Sequence, residues 1–335
     1  MKHVFLIHSH TVFLTTMGVI DKLNLSPENV VFVYFRNYTN SLIPINYKII
    51  RMDDEYSRMN KLSAIKFKEN RVFINKIDRI VEEKIADNFI VYGAHAGSHF
   101  IQTFITNKKC VQFNYIQEGA LAFGTLCSYK KNLKSIFYDI VNLFVFPINE
   151  KRIWCNYRWI VRMDVIKGKT TPKCYAISEN IFKSLPFETT IVQWPKFNPN
   201  IDINVAFPFF IMEASIEHHM VEKENYYSCL EEMIKETALE NNYIKFHPFQ
   251  SKEHRTEIIA LFEKNNCHVK ELPDSVPFEL ILSYYKDLLI LGFRSSLLVY
   301  AKQLGHRVIS KENDLRKLSI KYNNVRKLMN EIDEN

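Results

Sequence analysis

Short apolar runs rich in β-formers alternate along this chain with longer segments whose apolar residues recur every three or four positions, and this alternation sets the expected fold class. The first run is His3–His8 (HVFLIH); a loop beginning His8-Ser9-His10-Thr11 then enters a helix, and Val30–Phe35 (VVFVYF) is a second strand, so the chain starts as a βαβ unit. Phe73–Asp87 reads as a helix with Ile74, Ile77, Val81 and Ile85 on one face, followed by strand Asn88–Tyr92, helix Ser98–Thr106 and strand Val111–Ile116. Strand Lys173–Ser178 and helix Glu179–Leu185 follow, and Pro195, Asn198 and Pro199 mark a linker. Beyond it the same alternation resumes: strand Phe207–Met212, helix Lys223–Asn241, strand Tyr243–Phe246, helix Glu253–Lys264, strand His268–Leu272, helix Pro277–Tyr285, strand Leu288–Leu291, helix Ser295–Leu304 and strand Arg307–Ser310. Strands and helices in this rhythm favour parallel sheets covered on both faces. With 335 residues, two domains are expected, residues 1–200 and 201–335.

One stretch departs from the rhythm. Leu133–Val161 is aromatic, basic and apolar, but Asp139, Asn142 and Pro147 interrupt it before it reaches the ~20 apolar residues that a bilayer span needs. It reads either as a buried helix plus an amphipathic one or as a membrane-surface segment carrying Trp154, Trp159, Arg152 and Arg158, with Arg162 directly after it. The hydrophobic fraction of 47% supports real cores and excludes global disorder. Six cysteines without CxxC or CxxH spacing argue against a zinc site and a disulfide framework, and the N-terminal apolar run is too short for a signal peptide. A cytoplasmic protein, at the inner face of the membrane when it binds lipid, is the expectation. The net charge of +7 attracts polyanions in general, but the basic residues form no long run and no nucleic-acid-binding signature occurs, so no nucleic acid is expected as a partner.

Three short signals fall at the C-terminal ends of predicted strands, where open α/β sheets place their sites. At Gln117-Glu118-Gly119 a strand delivers a carboxylate beside a glycine that leaves room for a ligand; Glu118 is either a general base or a solvated turn residue. At Lys245-Phe246-His247-Pro248 the proline ends regular pairing and restricts the backbone of His247, mounting an imidazole that can donate to a phosphate or protonate a leaving group; a structural histidine is the alternative. At Gly292-Phe293-Arg294-Ser295-Ser296 a glycine turn and two serines open an apolar helix, whose N-terminal amides favour an anion; N-capping by Ser295 explains one serine and leaves the second optional.

In order and spacing, Gln117-Glu118-Gly119, His247-Pro248 and Ser295-Ser296 resemble the acidic-acidic-Gly, His-Pro and Ser/Thr motifs of bacterial sialyltransferases, the lipooligosaccharide sialyltransferases and the related polysialyltransferases. The resemblance covers about ten residues as motif. It implies an α/β protein of two Rossmann-like domains facing a cleft, the glycosyltransferase B (GT-B) arrangement, with the acceptor on the N-terminal side and the nucleotide sugar on the C-terminal side. It also implies an inverting transfer of sialic acid from CMP-sialic acid to a hydroxyl of a surface glycan, with Glu118 as base and His247 as phosphate stabiliser or general acid. The first acidic position of the motif is Gln117 here, and an amide cannot act as a base, so the role falls to Glu118.

Lys245, Pro248, Glu279, Gly292, Ser295 and Ser296 complete the expected nucleotide side, with Arg294 as a secondary candidate. Loops His8-Ser9-His10 and Gly93–His99, the latter carrying His95, are acceptor-side candidates, with a polar turn or helix cap as the competing reading. Asp53-Asp54-Glu55 offers clustered oxygen ligands, but a solvated acidic loop accounts for it; no metal and no cofactor are expected. Another GT-B transferase with a different nucleotide sugar, or a non-catalytic glycan- or lipid-binding module, are the competing functions. The expected partners are the donor, a glycan acceptor, a peripheral membrane contact and a second copy in a homodimer.

Overall fold

The computed structural model describes residues 1–40, 46–59, 67–96, 98–119, 137, 140, 171–183 and 185–324. The chain divides into two compact units, Met1–Trp194 and Pro195–Asn335. The first is built on strands β1 (Lys2–Ile7), β2 (Val30–Tyr34), β3 (Lys48–Arg51), β4 (Phe89–Gly93), β5 (Cys110–Ile116), β6 (Cys174–Ala176) and β7 (Thr189–Ile191). They pair in the order β3-β2-β1-β4-β5-β6-β7, and every pair is parallel. The order runs outward from β1 in one direction and then from β4 in the other, so the sheet has its topological switch point between β1 and β4.

The central strands are apolar without alternation because helices cover both faces: all five residues of β2 and the last four of β1 are buried. The helix Phe67–Ile85 buries Ile74, Ile77, Val81 and Ile85, the stripe that its periodicity predicts. Each such side chain contributes about 1.5–3 kcal/mol on leaving water. Three local expectations are corrected. Asp53-Asp54-Glu55 is no loop but the first turn of helix Asp53–Met59, where acidic groups complement the helix dipole, and Asp53 also accepts the Asn37 amide at 2.6 Å. The expected helix Glu179–Leu185 is replaced by turns over residues 179–183: Phe182 sits at φ 65°, which no α-helix accommodates, and Ile181, Phe182 and Leu185 are buried on the short path into β7. The helix starting at Lys223 ends at Thr237, not Asn241, because Asn242 closes a turn by bonding both the amide and the carbonyl of Leu239.

The second unit has strands β8 (Phe209–Ile211), β9 (Asn241–Lys245), β10 (His268–Glu271), β11 (Leu289–Gly292) and β12 (Arg307–Ser310) in the parallel order β10-β9-β8-β11-β12, with its switch point between β8 and β11. One face packs Phe210, Leu230, Met233, Ile258 and Phe262 into a closed core with Leu291 and Phe293. Helices Glu312–Leu318 and Ile320–Asn323 finish the described chain and bring Tyr322 into the same core. Among the described residues no helix is long and apolar enough to cross a membrane. The segment Leu133–Val161 lies outside the described residues apart from Phe137 and Ile140.

Helix His10–Lys22 meets the segment after β7 at Gly18, where a Cβ would stand 2.4 Å from the Gln193 carbonyl oxygen. Alanine gains up to ~1 kcal/mol of helix propensity there, but the obstacle is backbone and cannot rotate away. Gly18→Ala is therefore expected to destabilise the first unit by about 1–3 kcal/mol in urea unfolding; an unchanged or raised midpoint would contradict this packing.

Candidate functional site

Four strands of the first sheet deliver polar side chains to its C-terminal edge. His8 follows β1, Arg36 lies two residues after β2, His95 lies two residues after β4, and Glu118 lies two residues after β5. His8 Nε2 and a Glu118 carboxylate oxygen form a short hydrogen bond, and an Arg36 guanidinium nitrogen stands 3.8 Å from the same oxygen. Burial pushes the Glu118 carboxyl upward, but the His8 hydrogen bond and the charges of His8, His95 and Arg36 outweigh it and hold its pKa below the usual carboxylate range. Glu118 is thus an ionised, largely buried carboxylate facing three basic groups. The His8 ring packs 4.9 Å from Phe35, and its Nδ1 is buried without a hydrogen-bond partner among the described residues.

Gln117 explains itself: it is fully buried, and its side-chain oxygen accepts the Ile177 amide at 2.9 Å, tying β5 to the segment after β6. Ser9 caps helix His10–Lys22 by accepting the Val12 amide, and the His10 ring meets Tyr38 edge-on at 5.1 Å. Burial lowers His99 to a pKa of about 4. Arg36, absent from the residues singled out in the sequence, has a faint signal there, a basic residue at a strand end; its φ of 58° and its hydrogen bond to the Tyr56 hydroxyl aim it at Glu118.

In the second unit a cavity of about 260 Å³ is lined by Glu213, Ala214, Ser215, His218, Met220, His247, Arg294 and Tyr322. Both His247 and Arg294 therefore open onto one space, at the C-terminal ends of β9 and β11. The Phe249 amide donates to His247 Nδ1 at 3.2 Å, so in the neutral ring Nε2 carries the proton and can donate outward. Burial, then the nearby His218, lowers the His247 pKa, which keeps the ring neutral at physiological pH; Glu217 opposes this. Pro248 is exposed beside it, and Gln250 accepts the His247 amide at 2.8 Å, fixing the turn.

The other nucleotide-side residues have separate placements. Ser295 is the N-cap of helix Ser296–Gln303 and accepts the Leu297 amide at 3.2 Å, while Ser296 opens the helix. Gly292 is required by close approach, since a Cβ there would stand 2.7 Å from the Ile211 carbonyl oxygen. Lys245 is buried and donates to the carbonyls of Pro273 at 2.6 Å and Val276 at 3.1 Å, pinning the loop ahead of helix Phe278–Tyr284, in whose first turn Glu279 stands half-buried. Glu213, missed in the sequence because FIMEAS looks like an ordinary strand exit, is a buried acid that lines the cavity. Burial pushes its carboxyl up to about 7 against the hydrogen bonds it accepts. Among the described residues no group of three metal-ligating side chains occurs.

No protein-family model matches the chain, and no curated protein matches it either. Among solved structures it is similar to one described provisionally as a UDP-N-acetylglucosamine 2-epimerase from Listeria monocytogenes, at 13% identity over 92% of this chain and 78% of that one, with a TM-score of 0.54. Other similar structures are S. aureus MnaA with UDP, at 14% identity, the same 92% and 78% coverage and a TM-score of 0.49, and a glycosyltransferase from Rickettsia africae, at 11%, 92%, 78% and 0.48. At such identities the likeness is one of fold. The chain has the mixed α/β architecture of GT-B proteins, with a seven-stranded and a five-stranded parallel sheet.

The His8–Glu118 pairing has a measurable signature. Because the folded pKa of Glu118 is depressed, its contribution to stability is present above the ordinary carboxylate value and is lost as pH falls through the depressed one. His8→Phe is expected to lower stability by about 1–3 kcal/mol near neutral pH, the scale of a hydrogen bond to a charged group, with the deficit shrinking in acid. Urea unfolding of both proteins between about pH 7 and pH 3 measures this; a deficit independent of pH would place the effect in ring packing instead.

Proposed function

We propose that this chain is a nucleotide-sugar-dependent glycosyltransferase in which Glu118 activates the acceptor hydroxyl and the second-unit cavity receives the donor's phosphate. The observation that carries the reading is Glu118 itself: an ionised carboxylate, paired with His8, at the C-terminal edge of a doubly wound sheet. In the proposed step the acceptor oxygen attacks the anomeric carbon, its proton passes to the Glu118 carboxylate, the bond from that carbon to the phosphate oxygen breaks, and the nucleotide leaves with the electron pair. The transition state is oxocarbenium-like and the carbon is inverted. As the new bond forms the attacking hydroxyl becomes strongly acidic, so a carboxylate held below its usual range suffices as the acceptor of the proton. On the donor side the neutral His247 Nε2–H, Arg294 and the amides at the start of helix Ser296–Gln303 meet the charge that develops on the phosphate.

Two donors compete. CMP-sialic acid is supported by the motifs at Gln117-Glu118-Gly119, His247-Pro248 and Ser295-Ser296. A uridine-type sugar nucleotide is supported by fold likeness to the Listeria monocytogenes protein, whose description names UDP-N-acetylglucosamine. Calorimetry with CMP, UMP, UDP and GDP decides between them: a preference for CMP favours sialyl transfer, a preference for a uridine nucleotide the other donor, and no binding at all the non-catalytic reading.

The two catalytic assignments fail differently. Glu118→Gln is expected to keep nucleotide affinity and to slow transfer by on the order of 10²-fold or more. His247→Ala is expected to slow both transfer and acceptor-independent donor hydrolysis by about 10²–10³-fold. A folded Glu118→Gln protein that transfers at the parent rate would remove the carboxylate from the mechanism.

A further inference from the structure

The acid that lines the second-unit cavity belongs to none of the motifs. Glu213 follows β8 directly after Met212, beside the switch point of its sheet, and is buried. One carboxyl oxygen accepts the Ser215 hydroxyl in a short hydrogen bond and the Tyr322 hydroxyl at 2.8 Å; the other accepts the Arg294 amide at 3.1 Å. One side chain thereby joins the loop after β8, the turn between β11 and helix Ser296–Gln303, and the last described helix. Arg294, Ser215 and Tyr322, its three partners, all line the cavity. The last described helix is locked in turn: Ser319 donates to the Met220 carbonyl at 2.6 Å, and Arg316 pairs with Glu312 and donates to the Asn323 carbonyl at 2.8 Å.

We infer that Glu213 is a positioning residue of this cavity, holding the Arg294–Ser296 turn and Tyr322 in register so that the turn's amides and the Arg294 side chain face a ligand phosphate. The inference rests on the nucleotide-sugar reading of the cavity. It explains why a buried acid lines a space proposed for an anion. Its hydrogen bonds come from two hydroxyls and one amide, which together with the Arg294 charge favour the ionised form, but burial opposes that form more strongly and raises the carboxyl to about 7, so the group titrates near neutral pH. The titratable and charged groups around it are Arg294 from the β11 turn, Glu217 and His218 from the loop after β8, His247 after β9, Tyr226 from helix Lys223–Thr237 and Tyr322. A phosphate entering beside it adds negative charge and favours the protonated form further, so binding takes up a proton at this carboxyl near neutral pH.

The sign follows from the raised pKa. Glu213 contributes stability that is complete below the ordinary carboxylate value and is lost as pH rises through about 7. Two measurements on the full chain test the inference. Without ligand, the stability of the parent relative to Glu213→Gln is expected to fall as pH rises from the ordinary carboxylate value to about 7 and to level off above it, the other titrating groups being common to both proteins. With CMP, UMP and pyrophosphate as probes, calorimetry in buffers of different ionisation enthalpy counts protons taken up. Titration of the probe and of His247 is common to both proteins, so the difference belongs to Glu213. The parent is expected to take up a larger fraction of a proton than Glu213→Gln, while the glutamine variant, which keeps a hydrogen-bonding side chain, holds its affinity within about threefold and Glu213→Ala loses about tenfold or more. Equal proton uptake in parent and Glu213→Gln, equal affinity in all three proteins, or no binding of any probe would overturn the inference. Binding of UMP or pyrophosphate as well as CMP, with the expected uptake, would sustain it while removing the cytidine donor.

Discussion

Parallel pairing is the constraint on which the rest depends. A strand can be followed by a parallel neighbour only if the chain crosses back over a face of the sheet, so every strand of a sheet ends on the same edge. In the first unit that edge receives His8, Arg36, His95 and Glu118 from four strands spread over more than a hundred residues of sequence. In the second it receives Glu213, His247 and Arg294 from three. No local feature of the chain gathers these groups. The gathering follows from the direction of pairing together with the switch points between β1 and β4 and between β8 and β11, where the crossovers diverge and leave space above the sheet.

Two carboxyls at these edges are set in opposite directions by their neighbours. Glu213 is buried and Glu118 largely so, and burial alone raises both. Glu118 faces an imidazole that bonds to it, a second histidine and a guanidinium, and their combined attraction for the charged form exceeds the desolvation penalty. Glu213 meets two hydroxyls and one backbone amide, which stabilise the charge less than burial opposes it. The first is an ionised group suited to taking a proton, the second a group that titrates near neutral pH and is suited to fixing backbone. Environment rather than residue type separates the two roles.

The periodic elements were legible because burial on both faces demands long apolar strands and a regular helical stripe. The helix with Ile74, Ile77, Val81 and Ile85 turned inward is the plainest case. Elements whose conformation is set by distant contacts are not legible in this way. The segment Glu179–Leu185 has helical spacing, yet it turns at Phe182 because Ile181, Phe182 and Leu185 must be buried within a short connection to β7. Asp53-Asp54-Glu55 looked like a loop because the amide that Asp53 accepts comes from Asn37, far away in sequence.

What the sequence by itself determined was the α/β class, the alternation into two such units, and the strand-end placement of Glu118, His247 and Ser295, because strand and helix periods and glycine or proline punctuation are local properties of the chain. Tertiary structure alone decided the partners of those residues. The pairing of His8 with Glu118, the turn of Arg36 toward it, the diversion of Lys245 to the Pro273 and Val276 carbonyls, and the tie from Glu213 to Tyr322 are contacts between positions from 31 to 110 residues apart, except the Lys245–Pro273 bond at 28. Such contacts depend on which strands become neighbours, and strand order is fixed by the packing of the whole sheet rather than by any one segment of it.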